Sequence, residues 1–168
     1  GRVVGVILLI VFLGLLFGLP VIAKAVSSGN LDAFSSFYRV GSLVFGGGHV
    51  VLPLLEAELV PTGWTSTDIF LAGYGAAQAI PGPMFALTGY LGNVINPGFG
   101  YVGGWLGGVV AIVAVFLPSF LLLGATLPYW DALRSRARIR SALSGVNAAV
   151  VGLLLAVLYT PVWTSSVQ

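Results

Sequence analysis

Charge is what this sequence has least of. Asp, Glu, Lys and Arg together make up 7% of its 168 residues, against 58% hydrophobic, where a soluble domain carries about a quarter charged residues. So few charges cannot cover a water-exposed surface, so composition excludes a soluble globule and makes the lipid bilayer the first partner. Cysteine is absent, which excludes a disulfide framework and a thiolate metal site. His49 is the single histidine. There is no H-E-x-x-H, no evident base for any serine and no phosphate-loop glycine pattern. We therefore expect no metal, no cofactor and no enzymatic activity, and no direct use of ATP.

The charges that are present are unevenly placed. Four of the seven basic residues, Arg134, Arg136, Arg138 and Arg140, share one short interhelical stretch. Flanked by apolar spans, they fit the positive-inside rule better than nucleic-acid binding, so the loop 134–140 is expected in the cytoplasm and no nucleic-acid partner is expected. The chain opens on Gly1 and enters an apolar helix at once, from which we expect a preceding segment in a longer protein.

The apolar runs read as helices, not alternating strands, which favours a bundle over a barrel. Residues 3–23 carry no charge and would extend about 31 Å as a helix, one full span. Lys24 then suits an interface, where a lysine snorkels. Ser27-Ser28-Gly29-Asn30 reads as a turn with Asp32 as a cap for the next helix. Thr62-Gly63-Trp64 reads as an interfacial turn with the tryptophan at headgroup level. A later span over 100–127 carries Gly100, Gly104 and Gly108 in one row and Gly103 and Gly107 in another, spacings that let helices approach backbone to backbone. A final span covers 141–159.

Between these lie two segments that are apolar but interrupted, 31–60 and 69–95. The first is broken at Gly46-Gly47-Gly48-His49, the second at Gln78-Ala79-Ile80-Pro81-Gly82-Pro83. Neither half of either segment reaches the ~20 residues of a span. The expected fold class is thus an all-α integral membrane protein. It is a polytopic bundle with two broken helix pairs, re-entrant or half-spanning, in a single membrane domain over 1–168.

Free backbone groups in hydrocarbon cost several kcal/mol, so such breaks survive where protein or a wet cavity satisfies them. Gly46, Gly47 and Gly48 would bare N–H groups beside the positive end of a half-helix, and Pro81, Gly82 and Pro83 would begin another, Pro83 in its first turn. Two half-helix N-termini near the midplane are a recurring anion site in secondary transporters. The alternative is that both breaks are kinks for packing. His49 could donate to an oxyanion or simply hold a structural hydrogen bond. Gln78 lies one turn before Pro81. Arg39 is an intramembrane arginine and hence a binding candidate, yet it could snorkel or neutralise Glu56 or Glu58. Those two carboxylates cannot face the same way on a helix, so one is expected in solvent and the other to pair or carry a proton. Tyr90 and Asn93 share a face and could line the same cavity or serve packing and capping.

At these motifs the sequence resembles the chromate ion transporter family. The resemblance is carried by Phe45-Gly46-Gly47-Gly48-His49-Val50-Val51-Leu52-Pro53-Leu54-Leu55, by Gly63-Trp64, by residues 73–85 from Gly73-Tyr74-Gly75 through Pro81-Gly82-Pro83-Met84-Phe85, and by Tyr90-Leu91-Gly92. It implies a secondary transporter exporting chromate, with sulfate as a chemically similar oxyanion, across the bacterial inner membrane. It also implies a partner: an inverted second repeat, or a second subunit in a homo- or heterodimer. The Gly-Gly-Gly-His form resembles the second half of a two-repeat member. A transporter for sulfate or another anion, and a structural membrane subunit with no site of its own, are the alternatives.

Overall fold

The computed structural model describes residues 2–44, 48–79, 85–95 and 103–130, with the single helical positions Ser141, Ser144, Gly145, Ala148, Ala149 and Gly152; for residues 48–50 it describes the backbone alone. The arginine loop and most of the last span lie outside the described residues. By internal contacts residues 3–125 form one unit, and Arg2 with residues 126–168 another. In the second unit the Tyr129 hydroxyl donates to the Arg2 carbonyl at 2.9 Å.

The described residues are helical throughout, in the order α1 (Arg2–Val26), α2 (Gly29–Leu43), α3 (Gly48–Leu59), α4 (Thr67–Ala79), α5 (Ala86–Val94) and α6 (Gly104–Thr126), the last followed by a 3₁₀ turn, Leu127–Tyr129. Two are long and apolar enough to cross a bilayer: α1, and α6 with its 3₁₀ extension. They wear their apolar residues outside. Val3, Ile10 and Phe17 on α1 are 72%, 63% and 69% exposed, a distribution that water would penalise and lipid does not. Together with the composition, this makes the chain a helical membrane protein.

The other four helices contain 15, 12, 13 and 9 residues, about 14 to 22 Å each at 1.5 Å per residue, short of the ~30 Å hydrocarbon core. They pack in pairs, α2 on α3 and α4 on α5. Their inward faces follow helical spacing. On α3, Val51, Leu55 and Leu59 are buried while Glu56 and Ala57 are exposed; on α5, Leu87, Thr88, Leu91 and Gly92 are buried. These join Phe37 and Val40 of α2, Phe70 of α4, and Ala111, Ala114 and Val115 of α6 in one core. A second cluster fastens α1: Phe12, Tyr38 and Leu121 pack together, and the buried Tyr38 hydroxyl donates to the Phe12 carbonyl at 3.1 Å.

Small residues set how close α6 comes to its neighbours. A Cβ placed on Gly41 would fall on the Val115 carbonyl; one on Gly92 would lie 2.5 Å from the Gly107 carbonyl oxygen, and one on Gly108 2.7 Å from that of Gly89. The expected glycine rows are thus only partly used. Gly103, Gly107 and Gly108 are buried, but Gly104 is exposed and faces open space. Gly103 and Gly104 have left-handed φ of 56° and 57°, so Gly104 sits at the helix entry and falls out of the row.

Three local expectations need correction. Asp32 does not cap α2: Ser27, in the left-handed region at φ 51°, turns the chain so tightly that Ser28 occupies the cap position with extended backbone. Asp32 lies in the first turn, where its charge still complements the helix dipole. Trp64 is not at an exposed interface. Gly63 adopts φ 76°, its N–H bonds the Val60 carbonyl at 3.0 Å, and the Trp64 N–H bonds the Leu59 carbonyl at 3.2 Å. This is a Schellman ending, which turns the following residue back toward the last turn, and Trp64 is buried in the core with Leu59. Finally, α5 begins at Ala86, not Pro83, its first turn closing with the Thr88 N–H on the Phe85 carbonyl at 3.0 Å. At the start of α4 the Ser66 hydroxyl oxygen accepts from the Ile69 N–H at 3.3 Å.

The glycine contacts give a direct test. Gly92→Val should destabilise the protein by about 1–3 kcal/mol or more, because the added atoms meet backbone. Gly14→Val, on the open face of α1, should leave the midpoint of thermal unfolding in detergent nearly unchanged.

Candidate functional site: two paired helices around two breaks

Each helix pair flanks one break, 45–47 between α2 and α3 and 80–84 between α4 and α5. In the first pair, Arg39 and Glu58 are 19 residues apart in sequence, yet the Arg39 Nη1 donates to the Glu58 Oε1 at 3.1 Å. In the second, Gly73 lies under the ring of Tyr90, so that a Cβ there would collide with the ring. Contacts at such separations bring α2 against α3 and α4 against α5.

The site residues expected from sequence fall out as follows. Gly46, Gly47, Pro81, Gly82 and Pro83 lie outside the described residues. Gly48 and His49 form the first turn of α3, with backbone alone described. Pro53, four residues on, has no N–H to offer the carbonyl of residue 49, so that carbonyl loses its intrahelical donor. Gln78 is exposed in the last turn of α4, and Asn93 is exposed on α5 beside Tyr90, which is 36% exposed. Glu56 is exposed and Glu58 takes the arginine. Of all these, Arg39 and Glu58 are the pair the structure brings into contact.

Arg39 is less committed than one ion pair suggests. Its guanidinium has five N–H donors, and a single bond from it is made among the described residues. Its side chain is 42% exposed and lines a cavity of about 450 Å³ with Leu16, Phe17, Pro20 and Leu43. Pro20 leaves the Leu16 carbonyl without its helical donor, so this cavity joins a surplus of N–H groups to an acceptor in need.

One polar group was passed over in the sequence. Thr88 is fully buried on α5, and its Oγ1 has no hydrogen-bond partner among the described residues. Threonine within an apolar helix reads as a packing residue; the clue available was its position five residues after Pro83, in the first turn of the helix that follows the break.

Long apolar helices with outward apolar faces, together with the composition, define a helical membrane protein. Sequence comparison then places it: the chromate transporter family matches residues 31–168, and the chain belongs to that family. It is 32% identical over 139 residues to a chromate transport protein of Pseudomonas aeruginosa, covering 79% of this chain and 31% of the relative. It is 32% identical over 117 residues to a probable chromate transport protein of Synechococcus elongatus, covering 69% of this chain and 28% of the relative. The uncharacterized transporter YwrA of Bacillus subtilis is 28% identical over 128 residues, 75% of this chain and 68% of its own length. The chain thus spans under a third of the two chromate transport proteins and about two thirds of the shorter relative. No solved structure matches it.

The ion pair is open to a double-mutant cycle. Arg39→Gln and Glu58→Gln should each lower the unfolding midpoint in detergent, and the double variant should recover part of the loss. Polar pairs within membranes couple by on the order of 1 kcal/mol, and strictly additive losses would mean that the pair contributes nothing.

Proposed function

We propose that this chain is one repeat of a secondary transporter that exports chromate across the bacterial inner membrane. The anion is held at half-helix N-termini beside the two breaks. The observation that carries the reading is the coincidence of family and form: the residues matched to the chromate transporter family include both paired-helix units and the breaks between their arms.

In this reading α2–α3 and α4–α5 are re-entrant pairs. Gly46, Gly47, Gly48 and His49 present donors from the first break, while Gln78, Pro81, Gly82 and Pro83 do so from the second. Tyr90 and Asn93 line the approach, and Arg39 offers the guanidinium N–H groups that Glu58 leaves unused. Glu56 and Glu58 are the candidates for proton coupling. The domain is completed by an inverted second repeat or a second subunit, and the arginine loop 134–140 lies in the cytoplasm. A tetrahedral dianion suits convergent N–H donors better than an apolar pocket. The membrane potential assists its exit: at about 2.3 kcal/mol per charge per 100 mV, a dianion leaving a negative interior gains about 4.6 kcal/mol. The names of the two long relatives support chromate, and that of the shorter one specifies no substrate. A transporter for sulfate or another anion is therefore the second reading.

Inverted membrane vesicles containing the complete transporter should accumulate chromate when their lumen is made positive, and sulfate should inhibit. Chromate that fails to accumulate under that potential overturns the reading. Gly47→Leu and Gly82→Leu should abolish uptake with normal membrane insertion, whereas loss of insertion would assign the breaks to packing.

A further inference from the structure

We propose that Thr88 is an anion-binding residue of the transport site, its hydroxyl donating to an oxyanion at the N-terminus of α5. The inference rests on the transport reading above and adds a side chain to it.

Four observations converge. Thr88 is 0% exposed and its Oγ1 lacks a partner. A buried threonine in a helix ordinarily gives its hydroxyl to a carbonyl three or four residues back, but here no group among the described residues partners it. Buried hydroxyls without partners are rare, and a missing water or ion is a common reason. Second, Thr88 is the third residue of a nine-residue helix, and helical side chains lean toward the N-terminus. The hydroxyl is therefore directed to the end where the first-turn N–H groups also point. Third, that end has no cap of its own: Phe85 stands at the N-cap and makes no side-chain cap bond, whereas α4 has Ser66. Fourth, the neighbouring residues leave the polar role to Thr88, since Leu87 and Leu91 are buried and apolar on the same face. Neutral donors at a helix N-terminus, with no carboxylate on α5, are the chemistry of a dehydrated oxyanion site.

Thr65 provides the control. It too is buried, at 6% exposure, with an unpartnered Oγ1, but it lies in the turn between α3 and α4 beside the capping Ser66, away from either break in sequence. Val replaces Thr with nearly the same shape, so it removes the hydroxyl and leaves the volume.

The test uses the complete transporter in inverted vesicles, with initial rates of chromate uptake measured over a range of concentrations. Thr88→Val should raise KM about tenfold, the loss of one good hydrogen bond to a charged group, with insertion and thermal midpoint unchanged or improved. Thr88→Ser should stay within about twofold of wild type, and Thr65→Val should leave KM unchanged. Thr88→Ala separates hydroxyl from methyl should the valine variant not fold: a raised KM in alanine with a normal one in serine supports the proposal. Chromate should also raise the detergent unfolding midpoint of wild type more than that of Thr88→Val. A wild-type KM in Thr88→Val, or equal protection by chromate, overturns the role of Thr88 while leaving the transport reading intact. A wild type that neither transports nor is protected by chromate or sulfate overturns both.

Discussion

Hydrocarbon offers no hydrogen bonds, and the arrangement of this chain follows from that one fact. A helix that stops inside a bilayer leaves N–H or carbonyl groups that must find partners in the protein or in a cavity. Two of the helices avoid the problem by length. The four short ones are below that length, and their ends are finished in different ways. The end of α3 is closed by the Gly63–Trp64 Schellman bonds and the start of α4 by the Ser66 hydroxyl, while Ser28 at the start of α2 makes no side-chain cap bond. At the break-facing start of α5 the cap position holds Phe85, whose ring accepts nothing from a helix N–H. An uncapped start is what α5 needs if that end is to hold something other than itself.

Much of this was legible in the residues, for a physical reason. Composition fixes the solvent, and hydrophobic length fixes which helices span, so α1 and α6 could be read directly. Gly and Pro act through the backbone, independently of what surrounds them, so they can be read as candidate interruptions from sequence alone. What could not be read depends on three-dimensional neighbours. Trp64 has the composition of an interfacial residue, but the left-handed Gly63 turns it inward. Gly104 fits a four-residue row by count, but its left-handed φ of 57° at the entry of α6 takes it out of the row. Arg39 had two acidic partners within reach of α3, and only the packing of α2 on α3 selects Glu58. Thr88 carries no sequence signal because an apolar-context threonine is usually satisfied by its own helix, and only the structure shows a hydroxyl with no partner among the described residues.

The same glycine can serve opposite ends, and the surroundings decide which. Gly41, Gly92 and Gly108 are pressed against α6 or the backbone facing it, so their missing Cβ is a requirement of packing. That interface holds α5 against a long span and so gives its N-terminus a rigid seat. Gly14 and Gly18 meet nothing and lie on the outward side of α1. A rigid seat matters because a donor misplaced by an ångström loses most of a hydrogen bond, and a helix of nine residues has little stiffness of its own.

The pairing of Arg39 with Glu58 bears on how a proposed oxyanion would move. An arginine held by a carboxylate contributes little net charge, so an anion resting among N–H and hydroxyl dipoles keeps its own charge when it crosses. Were a free arginine to travel with it, the moving charge would fall from two to one and the electrical drive from about 4.6 to about 2.3 kcal/mol per 100 mV. Neutral donors also release more readily than a desolvated ion pair, whose separation in a low-dielectric interior is costly. A transporter must let go as well as bind. In the proposed reading, dipoles at a half-helix N-terminus, with the charge of Arg39 balanced by Glu58, make a site suited to release.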